Sequence, residues 1–198
     1  AEMSGNHNLS LSRALRIIDK AAMAGVDAIK LQTYTPDTIT IKSNKKEFLI
    51  KDKKNIWKNN TLYELYKKGQ TPWKWHKKLF SYAKKKKLIC FSSPFDETAV
   101  DFLEKLGAPA YKIASFENDH YPLLKKVVKT GKPIIISIGL LKLKELEDII
   151  KFIKKNGCKN FALLKCTSTY PANYCDLNLK TILDLKKRFK CPIGFSDH

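Results

Sequence analysis

The sequence predicts an α/β fold of the (β/α)8 TIM barrel class, incomplete, with about seven strands present and the eighth missing. Short apolar runs alternate with amphipathic helical segments and recur about every 22 to 30 residues, the spacing of successive βα units. The runs are nearly continuous in apolar residues, which is typical of parallel strands buried on both faces. Each run also ends in polar residues, where a barrel or a doubly wound sheet places its site. With 198 residues against the roughly 250 of a complete barrel, we expect a fragment, one truncated domain spanning 1–198.

The first elements follow from local helix and strand signals. Residues 1–2 have the character of a strand end whose strand is otherwise missing. Ser10 and Ser12 can cap a helix, which should end at Gly25 because glycine readily adopts the left-handed conformation that closes helices. A strand at 26–33 follows.

The segment 34–71 is a long polar stretch with scattered aromatic residues. Loops of this length in compact domains are usually functional or disordered, and the aromatic residues favour function. We therefore predict a lid-like insertion at about 34–71.

From Pro72 onward, helices and strands alternate regularly. A helix is predicted from Trp73 to about Lys86. The later predicted strands are 88–92, 110–114, 133–137, 161–166 and 192–196. The helices between them are predicted at 96–106, 121–130, 142–156 and about 178–189. A doubly wound sheet is the alternative fold, but the sequence lacks the glycine-rich nucleotide-binding motifs that such sheets usually carry.

The net charge of +19 would suit a nucleic acid or an acidic membrane surface as partner. The lysines cluster on predicted outer helices, however, and they far outnumber arginine, the preferred residue for bidentate contacts to bases and phosphates. We therefore expect no nucleic-acid or membrane partner. The five cysteines are scattered without a C-x-x-C pair, and no secretory signal opens the chain, which favours a cytoplasmic protein with reduced thiols.

Polar side chains gather at the predicted strand ends. These strand-end residues are Glu2, Asn6, His7, Lys30, Gln32, Ser92, Ser93, Lys112, Ser115, Glu117, Ser137, Lys165, Thr167, Ser168, Tyr170, Ser196, Asp197 and His198. Lysines and hydroxyls suit an anion with phosphate and carboxylate groups, and lysines inside a barrel are costly to bury unless they are paired. Each lysine could instead point outward, and Lys165 is the weakest candidate. His76 and His120 are expected on the surface.

Several segments together resemble the sialic acid synthase family over essentially the whole chain. They are AEMSGNHN, GVDAIKLQTYTPDT, FSSPFDETAVDFLE, PAYKIASFE, LLKCTSTYP and the terminal GFSDH. Enzymes of this family condense phosphoenolpyruvate with an amino-sugar aldehyde to give nine-carbon 2-keto sugar acids. The segments YTPDTITI, QTPWKWHKKLFSYAKKKKLICFSSPFD and YKIASFE are most similar to its pseudaminic acid branch. The resemblance thus implies a transferase that uses phosphoenolpyruvate and a 2,4-diacetamido-2,4,6-trideoxyhexose.

The resemblance also implies roles for individual residues. Positions that hold the phosphate and carboxylate of phosphoenolpyruvate are matched by Lys30, Ser93 (or Ser92), Lys112, Ser115, Ser137 and Ser196. Glu2 matches a carboxylate near the reacting carbon, and Gln32, Glu117 and Tyr170 match sugar-side positions. His198 matches one of two histidines that bind a divalent metal, usually manganese.

In the implied reaction, Glu2, Lys112 and Glu117 are the expected catalytic residues. The metal would polarise the aldehyde as a Lewis acid, Glu2 would act as general base for water, and lysine and serine would stabilise the departing phosphate. The family's second metal histidine, eighth strand and C-terminal antifreeze-like domain are not found in these residues. We therefore expect no activity from the 198 residues alone. For the full-length protein we expect a homodimer.

Three other functions remain open at this point. The first is an N-acetylneuraminate or legionaminate synthase. The second is another phosphoenolpyruvate-dependent synthase, whose sugar phosphate would require additional basic residues. The third is a non-catalytic barrel that binds polyanions through its lysines, in which case affinity would fall steeply with salt.

Overall fold

The computed structural model describes residues 1–51 and 57–198 and has an α/β architecture with parallel strands. The chain forms two compact units, Ala1–Ala108 and Pro109–His198. The first unit contains the helices α1 (Leu11–Met23), α2 (Pro36–Ile39), α3 (Leu62–Gly69), α4 (Trp73–Lys85) and α5 (Glu97–Lys105), and the strands β1 (Ala28–Thr33) and β2 (Ile89–Pro94). It also has a 3-10 turn at Lys46–Phe48.

The two strands of the first unit pair in parallel, with Ala28 opposite Ile89 and Thr33 opposite Pro94. Side chains alternate between the two faces of a strand. On one face of β1, the buried side chains of Ile29 and Leu31 join a core with residues of α1 and α4. The opposite face of β1 therefore presents the side chains of Lys30 and Gln32, between the buried positions.

The second unit contains the strands β3 (Tyr111–Ile113), β4 (Ile134–Ser137), β5 (Phe161–Cys166) and β6 (Ile193–Ser196), and the helices α6 (Tyr121–Val128), α7 (Leu143–Lys155) and α8 (Thr181–Phe189). A 3-10 turn lies at Tyr174–Asp176. The four strands pair in parallel in chain order. The side chains of Tyr111, Ile113, Ile134, Ile136 and Leu163 are fully or almost fully buried.

Six strands are present among the described residues, one fewer than predicted. The predicted first strand at 1–2 is a single parallel bridge, in which Glu2 pairs with Lys30. The backbone N–H of Lys30 donates to the carbonyl of Ala1 at 2.8 Å, and the N–H of Met3 donates to the carbonyl of Lys30 at 3.0 Å. The segment thus runs along β1 over too few residues to form a strand ladder.

The predicted helix ends are largely confirmed. Ser10 is the N-cap of α1, and its hydroxyl accepts a hydrogen bond from the backbone N–H of Arg13. Gly25 follows α1 with a φ of 74°, a left-handed conformation that costs glycine little. Helix α8 begins at Thr181 rather than near 178, because Asn178 adopts a left-handed φ of 47° that helical residues do not have.

The predicted insertion at 34–71 carries the helices α2 and α3, and residues 52–56 within it lie outside the described ranges. Tyr34 at its start is buried, and its hydroxyl donates to the carbonyl of Tyr66 at 3.2 Å. The ring of Tyr34 also packs edge-on against Phe95. The insertion is therefore anchored at both ends, and its role as a lid stays a prediction.

In the part of the chain that the structure describes, none of the helices has the length and apolarity to cross a membrane.

Candidate active site

In the first unit, Lys30, in the middle of β1, forms an ion pair with Glu2. The Nζ atom of Lys30 lies 2.6 Å from Oε1 of Glu2, with the lysine side chain 15% exposed and the carboxylate side chain 39% exposed. The pair lies on the face of β1 that also presents Gln32, away from the core with α1 and α4. The contact orients the Glu2 carboxylate and leaves it accessible to solvent.

The two neighbouring serines of β2 have different surroundings. The hydroxyls of Ser92 and Thr33 lie 2.6 Å apart, and Thr33 Oγ1 lies 2.9 Å from Nε2 of His76. All three side chains are fully buried. Ser92 therefore belongs to a closed polar network beneath the strand end. Because side chains alternate, Ser93 lies on the same face of the sheet as Gln32, its partner in register. Ser93 is therefore better placed than Ser92 for the expected contact with a bound anion.

The prediction of His76 as a surface histidine is wrong, because its side chain is 0% exposed. It lies on the buried face of α4 with Leu79 and Ala83, at helical spacing. Burial lowers its pKa to about 4, so the ring is neutral near pH 7. The neutral ring forms a hydrogen bond with the hydroxyl of Thr33. His120 is exposed, as predicted.

In the second unit, Lys112 is the buried basic residue at a strand end, with 5% of its surface exposed. Its ammonium donates to the hydroxyl of Ser137 at 2.5 Å and to the carbonyl of Ile113 at 3.3 Å. Ser137 is 1% exposed. Side-chain alternation places Lys112 away from the buried face formed by Tyr111 and Ile113. Lys112 thus does not point outward to solvent.

Two polar atoms in the segment after β3 are buried without a hydrogen-bond partner in the described ranges, Ser115 Oγ and Glu117 Oε2. Burial raises the pKa of Glu117 to about 7, although the positive charge of Lys112 acts in the opposite direction. Glu117 is therefore partly protonated at neutral pH and can donate as well as accept a hydrogen bond. We call Lys112, Ser115 and Ser137 the Lys112 cradle: one ammonium and two hydroxyls at the carboxyl ends of β3 and β4.

The last predicted group lies at the ends of β5 and β6, where Cys166 and Ser196 are partners in register. The Nε2 atom of His198 lies 3.1 Å from Sγ of Cys166 and 3.4 Å from Oγ of Ser196. The ring of Tyr170, a residue that is 69% exposed, packs edge-on against the imidazole with 4.3 Å between centroids.

These side chains do not form a metal site by themselves. A catalytic metal centre of the zinc type typically uses about three protein ligands. Residues 1–51 and 57–198 contain no group of three His, Cys, Asp or Glu that could hold a metal ion. His198 thus contributes a single imidazole, which lies within hydrogen-bond distance of the Cys166 thiol.

Lys165 lies on the opposite face of β5 from Cys166, because the two residues are adjacent in the strand. Its ammonium donates to the hydroxyl of Thr167 at 2.6 Å. This geometry agrees with its ranking as the weakest of the three lysines.

Sequence reasoning missed Thr33 and Asn118, two buried polar residues next to predicted site residues. Thr33 connects Ser92 to His76. Asn118 is 2% exposed and donates to two backbone carbonyls, one at the last residue of β4 and one in the loop after it. Neither has a distinctive motif; the available signal was that Thr33 is the last residue of the predicted strand 26–33 and that Asn118 follows the predicted strand 110–114 closely.

Comparison with known proteins identifies the family. Residues 17–198 match the family model described as the NeuB family. The chain belongs to the NeuB family. This result confirms the predicted membership of the sialic acid synthase family.

Two curated relatives come from Campylobacter jejuni subsp. jejuni serotype O:2. The chain is 44% identical to its pseudaminic acid synthase over 198 residues. This alignment covers 100% of this chain and 57% of the relative. It is 38% identical over 201 residues to its N,N'-diacetyllegionaminic acid synthase, covering 100% of this chain and 59% of that relative. The chain thus spans less than two thirds of the length of these proteins.

The structural comparison agrees. The crystal structure of N-acetylneuraminic acid synthetase from Leptospira borgpetersenii serovar Hardjo-bovis in complex with citrate matches with a TM-score of 0.87 and 33% identity. The match covers 100% of this chain and 64% of that protein. It confirms the predicted TIM-barrel fold class.

Proposed function

We propose that the full-length protein condenses phosphoenolpyruvate with a 2,4-diacetamido-2,4,6-trideoxyhexose to give pseudaminic acid and phosphate. Family membership and the 44% identity to a pseudaminic acid synthase support this reaction. The observation that carries it is the Lys112 cradle. A buried ammonium bonded to Ser137, together with the buried hydroxyl of Ser115 three residues along the chain, which has no partner among the described residues, suits a phosphate or carboxylate group.

The reaction forms a carbon–carbon bond and releases phosphate. Carbon 3 of phosphoenolpyruvate attacks the aldehyde carbon of the sugar, and the aldehyde oxygen takes up a proton. Carbon 2 becomes cationic and binds water, which loses a proton to a base and leaves a hydroxyl group on carbon 2. The resulting tetrahedral intermediate breaks the bond between carbon 2 and the phosphate oxygen while the hydroxyl loses its proton and becomes the keto group, which gives the 2-keto acid and free phosphate.

The residues of this chain would act at three points of that reaction. The Lys112 cradle holds the anion and stabilises the charge that develops on the departing phosphate. Glu2, oriented by its ion pair with Lys30, is the base for the attacking water. The action of Glu2 and Lys30 on the same substrate as the Lys112 cradle rests on the family resemblance.

The sugar would meet Gln32, Glu117 and Tyr170, again by family resemblance. Because the pKa of Glu117 is raised to about 7 by burial, its carboxyl group can donate a hydrogen bond to an acetamido or hydroxyl oxygen. Ser93 and Ser196 complete the proposed anion contacts, with Ser93 favoured over Ser92 because the latter is held in the buried network with Thr33.

His198 is proposed as one ligand of a divalent metal, Mn²⁺, which would supply Lewis-acid activation of the aldehyde. Because the described residues offer one imidazole there, we derive no step through the metal. The full-length protein is proposed to be a cytoplasmic homodimer. The five free cysteines agree with a reducing compartment.

The second candidate is the reaction of the N,N'-diacetyllegionaminic acid synthases, and the 38% identity to one of them supports it. The identity to the pseudaminic acid synthase from the same organism is 44%, which favours the first candidate.

Phosphate release from the full reading frame tests the proposal. Phosphoenolpyruvate and Mn²⁺ are supplied with either the 2,4-diacetamido sugar or N-acetylmannosamine. We expect phosphate release with the diacetamido sugar and little with N-acetylmannosamine, and none when either substrate is omitted. Turnover of N-acetylmannosamine with no activity on the diacetamido sugar would contradict the proposed substrate.

A further inference from the structure

Asn118 has a buried side chain that joins the loop after β3 to the last residue of β4 and to the loop that follows it. Its Nδ2 atom donates to the carbonyl of Ser137 at 3.0 Å and to the carbonyl of Gly139 at 3.2 Å. Both hydrogens of the carboxamide are thus used on backbone oxygens two residues apart, in a side chain that is 2% exposed. From this geometry we infer that Asn118 is a positioning residue for anion binding in the Lys112 cradle, a role that rests on the proposed function.

The first reason is the link between Asn118 and Lys112. The backbone that Asn118 holds at Ser137 is the backbone from which the Ser137 hydroxyl projects. That hydroxyl lies 2.5 Å from the ammonium of Lys112. Small displacements of a group that contacts substrate are costly, because binding and catalysis depend on geometry at the ångström level. Asn118 therefore acts on the cradle through Ser137, without contacting the anion itself.

The second reason is the crowding around Gly139. A β-carbon at this position would lie 2.9 Å from the hydroxyl of Ser115 and would collide with the hydroxyl of Ser168. The backbone at Gly139 therefore passes directly beside the unpartnered hydroxyl of the cradle. Any movement of this segment would change the space around Ser115 Oγ.

The third reason is the conformation of the next residue. Leu140 has a φ of 66°, in the left-handed region that residues with a β-carbon rarely occupy. Such conformations persist only where the surroundings fix them. Leu140 is 72% exposed, so little packing is available to hold it. The hydrogen bond from Asn118 to the carbonyl of Gly139, the preceding residue, supplies a fixed point.

The test replaces Asn118 with leucine, which has a similar size and no donors. In the full reading frame, we expect Asn118→Leu to raise both the Kd and the KM for phosphoenolpyruvate about tenfold or more, as the loss of buried hydrogen bonds implies. The KM for the sugar and kcat should change much less. Asn118→Ala is the second variant and keeps the test valid if the leucine variant does not fold.

Asn156→Leu is the matched control. The Nδ2 atom of Asn156 donates to the carbonyl of Phe152 at 2.8 Å, at the end of α7. The substitution therefore removes a similar hydrogen bond at a position away from the cradle. We expect this variant to lower Tm and leave the Kd for phosphoenolpyruvate unchanged. If a folded Asn118 variant keeps the wild-type Kd and KM for phosphoenolpyruvate, its role is structural only and the inference fails. A wild-type protein that binds no phosphoenolpyruvate overturns the proposed function and this inference together.

Discussion

At the scale of single residues, the buried ammonium of Lys112 is the feature on which the proposed anion site depends most. Lys112→Met keeps much of the side-chain volume and removes the charge. We expect the KM for phosphoenolpyruvate to rise about 10- to 100-fold, because a hydrogen bond to a charged group contributes about 1.5–3 kcal/mol. The measurement is steady-state phosphate release with each substrate varied in turn.

Lys165→Met is the matched control for that variant. Lys165, like Lys112, is the last residue but one of its strand, but its ammonium donates to Thr167 and it lies on the face of β5 opposite Cys166. The KM of the Lys165→Met variant for phosphoenolpyruvate should stay near the wild-type value. Equal effects of the two substitutions would show that general positive charge, rather than the cradle, binds the anion.

The raised pKa of Glu117 makes a prediction about stability and pH. Burial moves the pKa from its ordinary value of 4.5 to about 7, so the folded protein holds a proton that the unfolded chain has released. The free energy of unfolding should therefore fall as pH rises from about 4.5 to about 7, by an amount on the order of 3 kcal/mol. Glu117→Gln cannot ionise and should lose this part of the pH dependence. Urea unfolding of both proteins between pH 4.5 and 8 checks it, and parallel pH profiles would contradict the assignment.

At single residues, the sequence gives a signal where a residue type is costly in its predicted setting. A lysine inside an apolar run, such as Lys112, had to find a partner, and Ser137 provides one. The burial of His76 was not predictable in the same way. Its side chain is fixed by Thr33, which is 43 residues away in sequence, and by the ring of Phe102. Such tertiary contacts leave no local signal.

At the scale of elements, the strands were predicted closely because their apolar runs are bounded by glycine, proline or polar residues. The strand β5 was predicted at 161–166 and is found at Phe161–Cys166. The strand β3 is shorter than its predicted range of 110–114, and its ladder with β4 extends only from Tyr111 to Ile113.

The insertion was harder to predict than the strands. The helix α3 begins with a capping box at Thr61 and Glu64, which is a sequence signal that the long-loop interpretation passed over. The helix α2 has only four residues, Pro36–Ile39, and such a short helix depends on its surroundings. The ring contacts of Tyr34 with Tyr66 and Phe95 belong to the folded state and could not be inferred from spacing.

At the scale of the whole molecule, the net charge of +19 is carried in part by exposed lysines on helices, as predicted. Lys84, Lys125 and Lys154 lie exposed on α4, α6 and α7. The fold class and the family were predictable because both are encoded in the order and spacing of many short segments. The contacts within the site were not, since they depend on side-chain direction at single residues such as Ser92 and Ser93.

The central claim is that the Lys112 cradle binds the anionic substrate, and a crystal structure with phosphoenolpyruvate tests it most directly. The full reading frame would be crystallised with this substrate. The account predicts a phosphate or carboxylate oxygen within about 3 Å of both the Lys112 ammonium and the Ser115 hydroxyl, with the Ser137 hydroxyl beside them. Phosphoenolpyruvate bound elsewhere, with Lys112 still bonded to Ser137 and Ser115 making no contact to it, would contradict the claim.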